Sequence, residues 1–484
     1  MDGESGAQKE VGITEKKETN FSEWYQQVVL KSGLGDYSPV KGCMVYMPWG
    51  YAIWEEIRNY LDKRLKALGH KNAYFPLFIP ESLLKKEEAH FEGFTAEVAW
   101  VNTEGEERLA IRPTSETIMY NMFSNWIKSY RDLPLLLNQW NNVVRWETKS
   151  TRLFLRTREF LWQEGHTVHA TKDEADREVF TILELYKSLL SDLLAIPVLS
   201  GLKSEGEKFA GALYTATIEA LMPDGKALQA GTSHNLGQNF AKAFDIVYLD
   251  KEQKKNYVWQ TSWGVSTRLI GAVVMVHGDD KGLVLPPYVA PVQVVIVPIY
   301  YSEVQKKGIT EACEKIRELL EGKGIRVEAD LRDDKTPGWK FNEWELKGVP
   351  IRVEIGPRDL EASSVVLYRR DTSEKLSVKV EDVGRRVPEL LDIVHTSMLT
   401  KAEIFLRSHI TNVNDYTTFQ RVLEEKGGFL KAPWCAEADC ESIIKNETGA
   451  TVRLIPLQDK EPQSPSCLRC GRTAMVTAYF ARSY

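Results

Sequence analysis

Apolar residues recur at spacings of three and four between Trp49 and Leu68, at Trp54, Ile57, Leu61, Leu65 and Leu68. That period predicts an amphipathic helix ending at Gly69. A second run, Val179, Leu183, Tyr186, Leu190 and Leu193, predicts a helix from Lys172 to Leu194. Between the two the pattern shortens. "AYFPLFIPESLL" reads as a buried strand broken by prolines, and "LLLNQWNNVVRWE" and "REFLWQEGHTVHA" read as strands joined by the polar "TKSTRLFLR". Together the last two predict a long hairpin in an antiparallel sheet. "AFDIVYL", "YVWQTSWGVS" and "LIGAVVMVHG" complete a mixed α+β block that ends around "LVLPPYVAP".

The prolines of that last segment mark a boundary. Beyond them "VQVVIVPIY", a charged helix from Glu303 to Glu321, "IRVEADLR", a helical "KFNEWELKG" and "VPIRVEIG" alternate strand with helix. Alternation of this kind predicts a small α/β domain with a mostly parallel sheet, closing near His395. The expected organisation is a mobile polar leader over 1–20, an α+β block over 21–288, the α/β domain over 289–395 and a third domain over 396–484. A chain of 484 residues, 43% hydrophobic, has the apolar content for about three such cores.

Charge and cysteine usage narrow the class. No stretch approaches the run of about twenty apolar residues that a membrane helix needs, and "MDGESGAQKEVGITEKKETN" lacks the apolar centre of a signal peptide. A cytoplasmic protein with no membrane partner is expected. The net charge of −6 gives no general affinity for polyanions, so any nucleic-acid contact has to be local. Four of six cysteines crowd the last fifty residues while Cys43 and Cys313 stand alone, which argues against a disulfide framework.

The hairpin carries the chemistry. Arg145 and Glu147 share one face of a strand, as do Phe160, Trp162 and Glu164. Pairing the strands puts guanidinium, carboxylate and aromatic groups on one surface, which suits a nucleotide: arginines hold phosphate, rings stack on a base, carboxylates take an ammonium or Mg²⁺. The other reading is a solvated sheet face stitched by ion pairs.

Three segments in order decide between them. "VRWE", a loop, then Arg156, Phe160 and Glu164 resemble motif 2 of the class II aminoacyl-tRNA synthetases; "GHKNAYFPLF", with Pro76, resembles motif 1; "WGVSTRLIG", with Arg268, resembles motif 3. "RPTSE", "FLRTREFLWQEGHT" and "QAGTSHNLGQNF" are similar to prolyl-tRNA synthetases, in the form found in archaea and the eukaryotic cytosol. Only 64 residues separate Glu164 from Gln229, too few for the large editing insertion usual in bacterial relatives.

The resemblance implies a class II antiparallel-sheet catalytic domain, an α/β anticodon-binding domain and a small zinc-containing α+β C-terminal domain. It implies ligation of L-proline to tRNA(Pro) through a prolyl-adenylate, with ATP as substrate and Mg²⁺ beside it, in a homodimer built through motif 1. Arg145 would bridge the substrate carboxylate and the α-phosphate, and Arg268 and Arg156 would hold the γ-phosphate. Phe160 would stack on adenine, and Glu147, Gln229 and Thr232 would surround adenine, ribose and metal. For proline, Thr114 and Glu116 would accept from the amine and Trp162 and Phe209 would wall the ring. Glu164, His234 and Ser266 would complete that pocket.

Cys435 and Cys440, with four residues between them, and Cys467 and Cys470, with two between them, are spaced as two pairs that close a tetrahedral Zn²⁺ site of structural type. In "DLRDDKTPGWKFNEWELKGVPIRVEIGPRD", Asp333, Lys340, Glu345 and Arg352 are the candidates for reading proline anticodon bases. Two rival readings remain. One is a metal hydrolase using His166, His169, Glu174 and Asp176, weakened because residues three apart on a strand face opposite ways. The other is a synthetase-like RNA-binding protein without catalysis, against which Arg145, Arg268, Glu116 and the full "RPTSE" are all present.

Overall fold

The computed structural model describes residues 12–88, 98–146, 150–462 and 464–484. The first helix marked by the apolar period runs Pro48–Ala67, with proline in its first turn and Ile53, Trp54, Ile57, Leu61 and Leu65 buried. Proline is tolerated there because the first N–H groups of a helix have no intrahelical acceptor. Leu68, expected on the same stripe, is 44% exposed because the helix has already ended. The second helix, Lys172–Ser188, continues as a wider turn over Leu189–Leu193. Thr171 Oγ1 accepts from the Glu174 N–H at 3.3 Å and Glu174 Oε2 accepts from the Thr171 N–H at 3.1 Å, a reciprocal cap. "AYFPLFIPESLL" gives only a three-residue strand, Phe78–Pro80, followed at once by the helix Glu81–Glu88. Pro80 offers no N–H to extend the ladder.

Among the described residues one sheet of eleven strands runs through two of the expected domains. Its order is Ile410–Asn412, Phe429–Trp434, Val476–Ala481, Thr451–Pro456, Leu199–Leu202, Tyr214–Leu221, Ala227–Gly237, Trp259–Ser266, Glu159–His169, Leu135–Val144 and Lys71–Asn72. Only the pairings at its two ends are parallel. The hairpin is present, with Gln139 opposite Glu164, Asn141 opposite Trp162 and Val143 opposite Phe160. Its connection is not polar throughout: Leu153, Phe154 and Leu155 are buried in the core, with Phe154 at φ +62°. The helices Lys172–Ser188 and Arg268–His277 bury Val179, Leu183, Leu269 and Val273 with Ile218, Trp263 and Val265 of the sheet. Helices cover one face, so ligands meet the other.

The second-largest sheet among the described residues holds five strands in the order Val327–Ala329, Val294–Pro298, Ile351–Ile355, Ser364–Arg369 and Lys375–Lys379. Its first two pairings are parallel and its last two antiparallel, so it is mixed rather than mostly parallel. The last two strands form a hairpin turning at 370–374. The helix Val383–Ser408 then runs unbroken past His395, the expected edge of this domain. The expected leader lies partly outside the described residues, but 12–20 are anchored: the Lys17 N–H donates to Asp280 Oδ1 at 2.8 Å and its ammonium to the Gly278 carbonyl at 2.7 Å.

Candidate active site

The open face of the large sheet forms a cavity of about 250 Å³ whose lining includes Thr114, Glu116, Arg145, Phe160, Trp162, Glu164, Phe209, Gln229, Thr232, His234, Ser266 and Arg268. Strand alternation accounts for most of it. Phe160, Trp162, Glu164 and His166 are every second residue of one strand, and Thr232 and His234 of another. Gln229 has the wrong parity for that face, yet it lines the cavity because Ala230 is an extra residue: Ile218 opposes Gly231 while Glu219 opposes Gln229. The bulge re-aims Gln229. Gly264 is required beside the Trp162 indole, since a Cβ there would lie 2.7 Å from Nε1.

One end of the cavity is acidic and buried. The Thr114 hydroxyl donates to Glu116 Oε2, and the Ser115 hydroxyl donates to Glu164 Oε1. Glu164 also accepts from Gln139 Nε2 at 3.1 Å, Asn141 Nδ2 at 2.5 Å and lies 3.1 Å from His166 Nε2. Burial works against its charge, but the His166, Ser115 and Asn141 contacts outweigh it and hold its carboxyl below the ordinary range. Burial likewise disfavours the His166 imidazolium, yet Glu164 and the nearby Glu116 hold its pKa above the usual value. Tyr120 Oη lies 3.1 Å from its Nδ1. His234 is different: burial first, then the neighbouring His166, pushes it down to about 3, so it is neutral. Its Nδ1 meets Thr215 Oγ1 at 2.8 Å and its ring lies 4.8 Å from that of Phe209. Glu116, Glu164 and His166 bring three ligand atoms within 4.8 Å of one another. Glu164 and His166 are already committed to protein partners, which suits an ammonium guest better than a metal.

The other end is cationic. The Arg145 guanidinium lies 5.4 Å from the Trp162 ring and 5.5 Å from that of Phe160, and its Nε donates to the Pro113 carbonyl at 3.3 Å. Arg268 Nε donates to the Leu155 carbonyl at 3.2 Å. Burial, then Arg145, lowers its pKa to about 10, with Arg156 acting in the same direction. Arginines remain charged under that pressure, so cations are gathered in a half-buried place where an anion would stabilise all of them.

Not every expected residue joins the cavity. Arg156 opens into the adjoining cleft with Arg152, Lys226 and Tyr484, and Glu147 lies outside the described residues. The C-terminal Tyr484 donates from its Oη to Asp224 Oδ2 at 2.6 Å, and its N–H donates to the Ala227 carbonyl at 3.2 Å, which seats it on the catalytic sheet. Of the anticodon candidates, Lys340 is a correction: it is buried, and its ammonium donates to the Asp330 carbonyl at 2.8 Å. Arg352 is also buried, paired with Glu354 at 2.8 Å and held over the Phe341 and Tyr368 rings at 4.0 and 4.1 Å. Asp333 is exposed with Lys306 and Tyr300, and Glu345 accepts from Tyr368. The rival hydrolase set is scattered: His169 bonds Thr167, Glu174 caps a helix and Asp176 accepts from Tyr214 and Asn235. Sequence reasoning missed Ser115, Gln139, Asn141 and Thr215. Their signal was weak, since each acts by holding another side chain.

The four cysteines do come together. Cys440 and Cys467 sulfurs lie 3.7 Å apart and those of Cys470 and Cys435 3.6 Å apart. Four thiolates at about 2.3 Å from a tetrahedral zinc stand about 3.8 Å from one another, whereas a disulfide needs about 2.05 Å. The cluster is compatible with a zinc site.

Three family models match successive parts of the chain: the class II core domain of the G, H, P, S and T tRNA synthetases over residues 99–277, an anticodon binding domain over 293–390, and a prolyl-tRNA synthetase C-terminal domain over 416–484. A proline–tRNA ligase of Natranaerobius thermophilus is 54% identical over 478 residues, covering 98% of both chains. The chain belongs to the prolyl-tRNA synthetase family. A proline–tRNA ligase of Alkaliphilus oremlandii is 55% identical over 96% of this chain and 97% of its own, and the proline–tRNA ligase 2 of Clostridioides difficile 54% over 97% of each. These synthetases are bacterial, which gives no support to the archaeal or eukaryotic-cytosolic form expected from the sequence. Among the described residues no helix is long and apolar enough to cross a membrane.

Proposed function

We propose that the chain ligates L-proline to tRNA(Pro) in two steps, through a prolyl-adenylate and with release of pyrophosphate. The observation that carries this is a single cavity with opposite polarity at its ends: Glu116 and Glu164 at one, Arg145 and Arg268 at the other, with Trp162 and Phe209 lining it. A secondary ammonium fits the first end, its ring the aromatic walls, and its carboxylate points at Arg145. Attack of that carboxylate on the α-phosphorus builds charge on phosphate oxygens, where Arg145 stabilises it, while Arg268 anchors the far end of the triphosphate and Arg156 lies behind it. Neither step needs an enzyme nucleophile. Phe160 offers a face to adenine, and Ser266 and His234 close the proline pocket as neutral groups. Gln229 and Thr232 offer neutral oxygens suited to a Mg²⁺ that arrives already bound to phosphate.

The reading extends to the rest of the chain. Zinc would hold the C-terminal domain through Cys435, Cys440, Cys467 and Cys470, with no position left for water. The α/β domain would read the proline anticodon, with Asp333 and Glu345 as contacts, while Arg352, buried like Lys340, holds Glu354 and the fold. A homodimer would form through the helix Pro48–Ala67 and the strand after it, acting in the cytoplasm. The test is ATP–pyrophosphate exchange with each of the twenty amino acids. Strong exchange with proline is expected; exchange at background with proline would overturn the reading and leave an RNA-binding role.

A further inference from the structure

The C-terminal domain reaches the cavity through the sheet itself. Its strand Thr451–Pro456 pairs with Leu199–Leu202, Ile455 opposite Leu202 and Pro456 opposite Gly201. The approach is so close that a Cβ on Gly201 would lie 2.3 Å from the Ile455 carbonyl oxygen. From that strand Arg453 donates to Glu219 in a fork: Nε to Oε2 at 3.1 Å, Nη2 to Oε2 at 2.9 Å and to Oε1 at 3.1 Å. Lys203 Nζ donates to Glu219 Oε1 at 2.7 Å and to the Arg453 carbonyl at 2.9 Å. All three side chains are buried. One carboxylate thus carries two cations.

The place of Glu219 gives this cluster a meaning. It stands opposite Gln229, the residue that the bulge turns into the cavity, and opposite residues of an antiparallel pair share a face. Glu219 and Arg453 both act electrostatically on Arg268, with opposite signs. A second grip lies nearby: Ser204 Oγ donates to Glu441 Oε1 at 2.7 Å, and Lys445 lies 3.4 Å from Glu207 on the cavity wall.

We propose that Arg453, supplied by the C-terminal domain, is a positioning residue for the nucleotide end of the cavity: it offsets Glu219, so that the wall beneath Gln229 and Arg268 presents net positive charge to a triphosphate. The inference rests on the cavity being the ATP site. Without Arg453, Glu219 and Lys203 cancel, so the wall loses its net positive charge and attracts a triphosphate less. A buried ion pair that merely ties two domains together would show none of this.

The test uses the full-length protein in ATP–pyrophosphate exchange, with melting temperature and zinc content measured alongside. Arg453→Met is expected to raise KM for ATP about tenfold while KM for proline stays within about twofold. Glu219→Gln combined with Arg453→Met removes both charges and is expected to restore KM for ATP. Arg453→Lys, which keeps the charge and loses the fork, is expected near the wild-type KM and carries the test with the double variant if Arg453→Met does not fold. An unchanged KM for ATP in Arg453→Met, a double variant no better than the single, or Arg453→Lys as impaired as Met would overturn the inference. Wild-type protein with no proline-dependent exchange would instead overturn the functional reading, and this inference with it.

Discussion

The catalytic cavity and the cysteine cluster handle charge in opposite ways. At the cationic end of the cavity burial, then Arg145 and, from the adjoining cleft, Arg156 destabilise Arg268 as a cation. In the cluster four sulfurs face inward, three of the four residues being buried. Burial pushes the Cys435 thiol up to about 11 and Cys440 further, while Cys470, opposed by burial, is held down to about 6 chiefly by Arg472. A site for transient ligands leaves its charge to be balanced by the substrate. A structural site closes around a resident ion, and its four protein ligands leave nothing for a substrate to do.

The widest separation between the two should come from Arg145→Ala. Loss of the group that receives the substrate carboxylate and stabilises the charge building on phosphorus is expected to lower kcat/KM for proline-dependent exchange about 10³-fold. Zinc content and melting temperature should stay at wild-type values; a parallel loss of zinc would mean that the substitution damaged the fold. The converse variant, Cys440→Ser, is expected to abolish stoichiometric zinc and lower the melting temperature by several degrees, because metal binding and folding of a domain closed by four thiolates are one process. Retained zinc, measured by atomic absorption, would break the contrast.

Much of this was legible in the sequence, for physical reasons that differ by region. Helices with a sustained period, such as Pro48–Ala67, were readable because four buried side chains, Trp54, Ile57, Leu61 and Leu65, recur at spacings of three and four. The hairpin was readable because alternation fixes which side chains share a face, and that alone places Phe160, Trp162 and Glu164 together. What escaped was whatever depends on a single inserted residue or on the far end of the chain. The bulge at Ala230 is invisible in composition, and the junction of Leu199–Leu202 with Thr451–Pro456 spans some 250 residues of sequence. Lys340 illustrates the opposite error: a charged residue in a polar run reads as surface, yet here Asp330 and the core receive it. The hairpin connection misled likewise, since Leu153, Phe154 and Leu155 are flanked by charge but buried.

A smaller effect probes the acidic end. Glu116→Gln keeps the shape and the Thr114 contact but removes the charge offered to the substrate amine. A charge-assisted hydrogen bond contributes about 1.5–3 kcal/mol, so KM for proline should rise roughly 10- to 100-fold with KM for ATP nearly unchanged. Equal rises in both constants would show that the two ends do not act separately.

The smallest effect is a difference in pH slope between the two regions. His166 faces Glu164 on its own strand, Glu116 and Tyr120 on the helix Glu116–Trp126, and His234 on the strand Ala227–Gly237. Its folded pKa lies above the ordinary 6.5, so the stability it adds is complete below about that pH and is lost as pH rises through the folded value. Glu164 runs the other way, contributing above the ordinary 4.5 and losing that contribution as pH falls through its lowered folded value. Zinc held by thiolates also gains with rising pH, because the ligands must shed protons to bind it. Melting temperatures of wild type and His166→Asn, followed from about pH 6 to 9, should therefore converge as the imidazolium contribution disappears. A contribution from zinc at the four cysteines would be common to both proteins and cancel in that difference, which leaves the cavity alone. A gap that widened with pH would mean that the neutral imidazole, bonded to Tyr120, is the form the fold selects.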